Sequence, residues 1–171
     1  MQARVAPAII LVWLSASPAL AAPAAGPACP ADGAHRLARP ATGPFTAGYG
    51  VRQHPLLDSV RLHIGHDYQG LVGDPVTAAA GGEVIAAEVR LQYGKTVVIR
   101  HGDGRETLYA HLSALAVEAG ACVSSGQVIG RIGATGLATG PHLHFEVIEA
   151  GRPIDPMPLM AVREAVGLPD R

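Results

Sequence analysis

The segment GPHLHFEVI at residues 140–148 decides how the rest of the chain is interpreted. From His142 onward polar and apolar residues alternate, which is the period of a half-buried β-strand. The apolar residues are predicted to face a hydrophobic core, and the polar residues His142, His144 and Glu146 to face the other side. Two histidines at i and i+2 of a strand lie about 7 Å apart at their Cα atoms, so one imidazole can bind a metal ion while its neighbour handles a proton. The segment therefore predicts a strand that carries a functional site.

Length and composition indicate a compact, turn-rich β protein. The chain has 171 residues, enough for one domain with its own core. Its 21 glycines and an aromatic content of only 4% fit many short strands better than a helical bundle. The formal net charge is -1, so the overall charge gives no reason to expect binding to nucleic acid or to an anionic membrane surface.

Short apolar runs separated by turn residues predict an all-β, antiparallel fold. The dipeptide Asp103-Gly104 lies between two alternating runs and is typical of a β-hairpin. The pattern G-x-V-I occurs at residues 82–85 and again at residues 126–129, as two similar β units would produce. The predicted architecture is a two-sheet groove or sandwich, or a partly closed barrel. The strand-like runs are residues 76–78, 84–86, 96–99, 107–110 and 127–129.

Residues 1–21 are typical of a secretory signal peptide. Arg4 precedes an apolar run at residues 6–14, and residues 19–21 supply an A-x-A cleavage site. The alternative is an uncleaved anchor helix, which is disfavoured because the apolar run is short for spanning a bilayer. The sequence thus predicts export to the periplasm or cell wall, with no stable membrane insertion after cleavage.

The rest of the chain divides into three predicted parts. Residues 22–43 are rich in Ala, Pro and Gly and are predicted to be a linker arm. Residues 44–158 are predicted to form the folded domain. Residues 159–171 are predicted to be a C-terminal tail, and one short terminal helix is predicted over residues 157–167.

The chain contains two cysteines, Cys29 and Cys122. An even pair in an exported protein is typical of a disulfide, which here would tie the N-terminal segment to the body of the domain. Two unpaired thiols are the alternative, because sequence alone does not show that the two residues are close.

A second candidate site lies at the segment LHIGHDY, residues 62–68. His63 and Asp67 would lie about 13 Å apart in a straight strand, too far to share one metal ion. They would be neighbours on a helix, but the segment lacks an apolar face of helical period. A bend at Gly65 would also bring both side chains inward. One imidazole and one carboxylate are two of the three protein ligands that a catalytic zinc needs.

A third candidate is His111, which lies on the polar face of a strand predicted over residues 107–112. Each histidine taken alone is more often an ordinary packed or surface residue. Three separate segments, however, each place a histidine where it can face one groove. Their combination in one small exported domain indicates a metal-dependent active site.

Six ordered blocks of sequence give the chain a specific resemblance. It resembles the lysostaphin/LytM type of zinc metallopeptidase, a family that cuts the peptide bridges of bacterial peptidoglycan. The blocks are distributed over roughly residues 48–156, in the order in which the family has them. They are GVRQHP at 50–55, HxGxD at 63–67, GKTVVIxHG at 94–102, LYAHLS at 108–113, GQVIG at 126–130 and TGxxTGPHLHFE at 135–146.

The resemblance implies a role for each site residue. His63, Asp67 and His144 would hold one Zn²⁺ per chain and leave a fourth position for water or the scissile carbonyl. His111 and His142 would lie beside the metal, orient or deprotonate the water and stabilise the transition state. Hydrolysis would then proceed through a metal-activated water, since a zinc site of this kind lowers the pKa of bound water to about 7.

The resemblance also implies a substrate contact and details of the fold. His54 would lie at the edge of the groove and contact substrate, with a loop-packing role as the alternative. The family fold is a β-sheet groove that contains a lipoyl-like duplicated unit, which the repeated G-x-V-I pattern would reflect. The expected fold is therefore all-β, with an antiparallel groove and a duplicated hybrid motif.

Two main functions compete at this stage. The first is a zinc endopeptidase that hydrolyses peptide cross-links of peptidoglycan, with the bond that is cut left open. The alternative is a non-catalytic groove that binds and activates another cell-wall hydrolase, but such relatives typically lack a zinc ligand, whereas all the implied ligands are present here. A carrier domain with a phosphorylated histidine is disfavoured by the export signal. The expected partner is peptidoglycan; a hydrolase or cell-division partner is left open.

Overall fold

The structure of the protein, a computed structural model, describes residues 29–31, 36–53 and 59–160. Within these ranges the chain is almost entirely β, with thirteen strands and a single 3₁₀ turn at Met157–Leu159. The predicted all-β class is confirmed. The strands are Phe45–Ala47 (β1), Gly50–Gln53 (β2), Val60–His63 (β3), His66–Gln69 (β4), Pro75–Thr77 (β5), Gly82–Arg90 (β6), Gly94–His101 (β7), Glu106–Leu112 (β8), Ala114–Leu115 (β9), Cys122–Val123 (β10), Val128–Arg131 (β11), His142–Glu149 (β12) and Arg152–Ile154 (β13).

The described strands form three antiparallel sheets. The largest has eight strands in the order β1-β4-β12-β8-β7-β6-β10, with β13 also pairing with β12. A three-stranded sheet has the order β5-β11-β9, and β2 and β3 form a separate two-stranded ribbon. Each of the five strand-like runs overlaps an observed strand, and Asp103-Gly104 lies in the β7–β8 hairpin.

The prediction of a partly closed barrel is wrong. In the described part of the chain the large sheet ends at β1 on one side and at β10 on the other, and these edge strands do not pair with each other. The fold is also divided among three sheets rather than two, because the chain bends sharply between β3 and β4 and leaves the ribbon as a sheet of its own. The lipoyl-like duplication stays a prediction.

Strand β12 lies in the middle of the large sheet, between β4 and β8. Its apolar residues Leu143, Phe145 and Val147 are fully buried in the main core, as the alternation predicts. The polar side is buried as well, with His144 only 7% exposed and Glu146 only 2% exposed. The strand is therefore not half-buried. Its buried polar side chains must find partners within the protein, because an unpaired buried polar group is destabilising.

The bend at Gly65 joins two sheets. β3 ends at His63 in the ribbon, and β4 begins at His66 in the large sheet, so the helical alternative is not observed. The backbone of Gly65 packs directly against β12. A methyl group at this position would overlap the carbonyl oxygen of Phe145 and lie 2.9 Å from Cε1 of His144. Only glycine allows the bend to approach β12 this closely.

We expect Gly65→Ala to lower the free energy of unfolding by about 1–3 kcal/mol, because the added methyl group overpacks against sheet backbone that cannot move alone. Denaturant titration of the variant measures this change. Gly140→Ala is the matched control, since a methyl group there meets nothing within 4 Å. Equal midpoints for the two variants would contradict the packing argument.

The N-terminal segment packs on the domain. Cys29 and Cys122 are joined by a disulfide with their Cα atoms 5.2 Å apart. Leu37, 2% exposed, belongs to the main core and forms a parallel bridge with Met160. The predicted signal peptide, residues 22–28 and 32–35 of the predicted arm, and residues 161–171 lie outside the described residues. No helix among the described residues has the length and apolar character needed to cross a membrane.

One histidine has a structural role away from the predicted site. His101 ends β7, is 4% exposed, and donates from Nδ1 to the carbonyl oxygen of Gly81 at 2.9 Å. Its Nε2 lies 2.9 Å from the Thr107 hydroxyl, which is in turn hydrogen-bonded to the Tyr109 hydroxyl. The Tyr109 oxygen accepts from the backbone N–H of Ala79 at 2.8 Å. Burial lowers the pKa of His101, which keeps the ring neutral within this network.

Candidate metal centre

An open groove of about 570 Å³ lies where β4, β8 and β12 of the large sheet meet the β2–β3 ribbon. It brings together the three histidine-bearing segments that the sequence singles out. The lining residues are Thr46, Ala47, Arg52, Arg61, Leu62, His63, Ile64, Asp67, Gln69, Gln92, Tyr93, His111, Leu137, Thr139, Gly140, Pro141, His142 and His144.

Three of the predicted site residues form a compact donor cluster. His63 Nε2 lies 3.2 Å from Asp67 Oδ1 and 3.2 Å from His144 Nδ1, and His144 Nδ1 lies 2.9 Å from Asp67 Oδ1. A tetrahedral zinc ion with bonds near 2.0–2.1 Å has donors roughly 3.3 Å apart. The triangle thus has the size of one face of such a site. These three residues are able to hold a metal ion.

The hydrogen bonds of the two histidines fix which ring nitrogen is free. His63 donates from Nδ1 to the carbonyl oxygen of Gly48 at 2.7 Å, which leaves its Nε2 as a lone pair in the neutral ring. His144 donates from Nε2 to Glu146 Oε1 at 2.9 Å, which leaves Nδ1 as a lone pair. Two lone pairs and a carboxylate oxygen then face one another at about 3 Å. Such an arrangement repels itself unless a cation or a proton lies between the donors, so the donor set fits a metal ion.

The pKa values at the cluster reflect the same requirement for positive charge. Burial lowers the pKa of His144, but hydrogen bonds to Asp67 and Glu146 raise it by more, to about 9. Burial raises the pKa of Asp67, but hydrogen bonds with His144 and His63 hold it well below its usual range. Without a metal, a proton on His144 supplies the positive charge. A metal ion would replace that proton, as metal binding to imidazole generally does.

Arg52, on β2, orients the carboxylate of Asp67. Its Nη2 lies 3.0 Å from Asp67 Oδ2, the oxygen that does not face the two histidines. The two carboxylate oxygens therefore have different contacts: Oδ2 is held by Arg52, and Oδ1 is directed at the two histidines. No pattern in the sequence indicates this role for Arg52, although the residue lies in one of the six matching blocks.

His111 and His142 lie beside the donor cluster. Their ring centroids are 4.8 Å apart, and His142 Nε2 is 4.0 Å from Asp67 Oδ1. His111 donates from Nδ1 to the carbonyl oxygen of Thr135, and His142 from Nδ1 to that of Gly140, both at 2.8 Å. Each neutral ring therefore presents Nε2 as an acceptor. Two acceptors next to a metal site are suited to orienting a water molecule or taking its proton.

The backbone of His111 directs its side chain into the groove. Strand pairing sets Ala110 opposite His144 and Tyr109 opposite Phe145, so alternation alone would direct His111 to the core side with Tyr109. His111 instead has a φ of 62°, in the left-handed region that non-glycine residues rarely adopt. This conformation is held by a hydrogen bond from its N–H to the carbonyl oxygen of Tyr93 at 2.8 Å. Strained conformations of this kind cluster at functional sites.

Burial and neighbouring imidazoles keep His111 neutral. Burial is the largest cause, and the proximity of His142 and His144 adds to it, lowering the pKa of His111 to about 4. At neutral pH the ring is therefore an acceptor. A positive charge at the donor cluster would disfavour its protonation further.

Two residues behind His144 were not assigned a role from sequence. Glu146 Oε1 accepts hydrogen bonds from His144 Nε2 at 2.9 Å and from the Tyr93 hydroxyl at 2.7 Å. Burial and Glu146 together raise the pKa of Tyr93, so its hydroxyl stays protonated and donates. The alternation in β12 indicates that Glu146 lies on the polar side of the strand. The contribution of Tyr93, from the β6–β7 turn, depends on strand pairing that sequence does not show.

We expect Glu146→Gln to weaken metal binding by roughly 10–100-fold, because the carboxylate that orients His144 and increases its basicity is lost. Tyr93→Phe should have a smaller effect in the same direction. Competition with a chromophoric chelator measures both affinities. Glu106→Gln and Tyr49→Phe are matched controls outside the groove lining. Wild-type affinity in Glu146→Gln would contradict the orienting role.

The remaining predicted residues do not join the cluster. His54 lies outside the described residues, and Cys29 and Cys122 do not line the groove. His66, next to Asp67, is 1% exposed and directs Nε2 to Asp155 Oδ1 at 3.3 Å. Burial is the main cause that lowers the pKa of His66. It packs against Phe45 at a centroid distance of 4.9 Å and lies outside the groove lining.

The antiparallel β groove with its His–Asp–His donor cluster defines a metallopeptidase-type domain. Residues 61–156 match Peptidase family M23, and the chain belongs to this family. The catalytic domain of lysostaphin from Staphylococcus simulans is 32% identical, with a TM-score of 0.63 and coverage of 68% of this chain and 90% of that one. The resemblance to the lysostaphin/LytM type is thereby confirmed.

Two further relatives are larger than this chain. A zinc-containing peptidase from Vibrio cholerae is 36% identical with a TM-score of 0.63, covering 75% of this chain and 39% of that one. The DD-carboxypeptidase/endopeptidase Mpg of Neisseria meningitidis is 48% identical over 113 residues, 66% of this chain and 26% of Mpg. The chain thus spans about a quarter of the length of this curated relative.

Proposed function

We propose that the protein is a zinc-dependent endopeptidase that hydrolyses peptide cross-links of bacterial peptidoglycan. The observation that carries this proposal is the convergence of three metal donors and two further imidazoles in one open groove. The zinc-containing relative from Vibrio cholerae supports the choice of metal. The name of the Neisseria relative supports the class of bond.

His63, Asp67 and His144 would hold one zinc ion per chain, since two imidazole nitrogens and one carboxylate oxygen are a typical set for catalytic zinc. When bound, zinc supplies Lewis-acid polarisation of a carbonyl and lowers the pKa of water to about 7. Arg52 holds Oδ2 of Asp67, and Glu146 holds His144, so both ligands are fixed in orientation. A fixed donor set reduces the rearrangement needed during catalysis.

His111 and His142 would accept the proton of the attacking water and transfer it to the leaving group. Both rings present an acceptor Nε2 beside the donor cluster, because both Nδ1 atoms donate to backbone carbonyl groups. A ring that accepts the proton becomes a donor and can pass it to the leaving amine. Its positive charge would also stabilise the negative charge that develops on the carbonyl oxygen.

Export to the periplasm or cell wall is part of this proposal. It rests on the signal-peptide pattern of residues 1–21, which lies outside the described structure, and on the similarity to the peptidoglycan DD-endopeptidase ShyA of Vibrio cholerae. The open groove is compatible with an extended peptide within a large polymer.

The test is incubation of the purified protein with intact peptidoglycan, with and without a zinc chelator, followed by mass spectrometry of the products. We expect cross-linked fragments to become uncross-linked, the chelator to prevent this, and added zinc to restore it. The masses identify the bond that is cut. Absence of cleavage by folded, zinc-loaded protein would contradict the proposed enzyme.

A further inference from the structure

The β2–β3 ribbon carries two arginines on the face that lines the groove. Arg52 on β2 pairs directly with Arg61 on β3, and both residues line the groove together with His63. Arg61 and His63 are two residues apart on one strand, so their side chains project from the same face, with Cα atoms about 7 Å apart. Arg52 contacts the donor cluster directly, with Nη2 3.0 Å from Asp67 Oδ2, and Arg61 lines the same groove.

Among the described residues, the paired arginines carry more positive charge than their described partners balance. Like charges directly opposite each other in a β pair are destabilising unless another group compensates them. Arg52 has Asp67 as its partner at 3.0 Å. Arg61 is exposed, and the hydrogen bond described for its side chain goes from Nε to the neutral Ser59 hydroxyl at 3.2 Å.

The rest of the described lining does not supply the missing negative charge. Asp67 is the only acidic residue among the lining residues, and its Oδ1 faces the metal donors. A bound divalent cation would make the groove still more positive. Charge complementarity therefore favours an anionic group on the ligand at this position.

We propose that Arg61, with Arg52 beside it, binds a carboxylate group of the substrate close to the scissile bond. This inference rests on the proposed endopeptidase function and specifies its substrate class: acidic peptide cross-links rather than neutral glycine bridges. A guanidinium group suits this role because its planar donors match the two oxygens of a carboxylate. Arg61 lies two residues before His63 on the same strand, so the carboxylate that it binds is expected near the scissile bond.

Such a carboxylate has two sources in a peptide cross-link, a side chain or the C-terminus of the donor or acceptor peptide. Three synthetic cross-linked peptides distinguish them: one with both carboxylates free, one with the side-chain carboxylate amidated, and one with the terminal carboxylate amidated. The comparison uses zinc-loaded wild-type protein, Arg61→Gln and Arg61→Lys. Arg61 is the tested residue because Arg52 also contacts a metal ligand.

We expect Arg61→Gln to lower kcat/KM for the fully free peptide roughly tenfold, mainly through KM, because one charge-assisted contact is lost. Amidation of the recognised carboxylate should produce a similar loss in wild-type protein and little additional loss in Arg61→Gln. Arg61→Lys should be intermediate, since it retains charge without the planar fork. Arg100→Gln is the control; Arg100 is 53% exposed, pairs with Glu106 and does not line the groove.

A binding measurement gives a second readout that does not depend on turnover. Fluorescence anisotropy of the labelled product peptides should show the same preference for the free carboxylate, and high salt should reduce it. If all three peptides are cleaved equally by wild-type protein and Arg61→Gln, the carboxylate site is wrong while the endopeptidase function stands. If folded, zinc-loaded wild-type protein cleaves none of the peptides and no peptidoglycan, the proposed function itself fails.

Discussion

Asp67→Asn is expected to abolish stoichiometric metal binding and to lower endopeptidase activity by on the order of a thousandfold or more. Asp67 supplies the only negative charge among the three donors, with Oδ1 at 2.9 Å from His144 Nδ1 and 3.2 Å from His63 Nε2. Asparagine has nearly the same shape but is neutral, so the donor cluster keeps its size and loses its attraction for a cation. It also cannot form the ion pair that Asp67 Oδ2 makes with Arg52.

The measurement is metal content by mass spectrometry on protein dialysed against trace zinc, together with cleavage of peptidoglycan. Asp155→Asn is the matched control, because Asp155 contacts buried His66 but does not line the groove. It should retain one zinc ion per chain and wild-type activity. An Asp67→Asn protein that still binds one zinc ion tightly would show that the metal is held elsewhere.

Local patterns account for what could be predicted from the sequence. The alternation in residues 142–149 indicates the strand and the inward direction of Leu143, Phe145 and Val147, because side-chain direction in a strand has a fixed period of two. The bend at Gly65 could be predicted because the side chains of His63 and Asp67 can bind one metal ion only if the chain bends between them. These arguments need only the order of residues along one segment.

Contacts between distant strands could not be predicted in the same way. Tyr93 lies in the turn between β6 and β7, and Glu146 lies on β12. The two side chains meet because β7 and β8 lie side by side between β6 and β12 in the large sheet. Arg52 reaches Asp67 only because the ribbon lies over β4 as a separate sheet. The position of the ribbon is set by packing across the groove, which leaves no periodic signal in the sequence.

His111 lines the groove, but for a physical reason that differs from the one the sequence pattern suggests. Alternation within residues 107–112 suggested a polar face shared by Thr107, Tyr109 and His111. In the structure Thr107 and Tyr109 are fully buried, and the side chain of His111 enters the groove through its left-handed backbone. The resemblance identified the residue, but strand periodicity alone would have placed it on the core side.

His111→Asn is expected to lower kcat by about 10²–10⁴-fold while leaving zinc content unchanged, because it removes an acceptor for the proton of the attacking water and no metal donor. Asparagine is chosen because it tolerates the left-handed conformation that His111 adopts at a φ of 62°. The measurements are zinc stoichiometry, kcat and the pH dependence of kcat/KM. Loss of zinc from the variant would instead identify His111 as a ligand.

The pH profile separates a proton acceptor from a purely structural residue. Burial and the neighbouring imidazoles of His142 and His144 lower the pKa of His111 to about 4, so the ring is neutral above that pH and becomes protonated as the pH falls through it. In zinc-loaded protein the positive charge of the metal would lower this pKa further, so protonation of His111 should limit wild-type activity only below about pH 4, and the residual activity of His111→Asn should lack that acid limb. Ala150→Asn is the matched backbone control, since Ala150 is the other described non-glycine residue with a positive φ, at 48°. If both asparagine variants lose activity equally and keep the wild-type pH profile, the effect comes from the backbone and not from proton transfer.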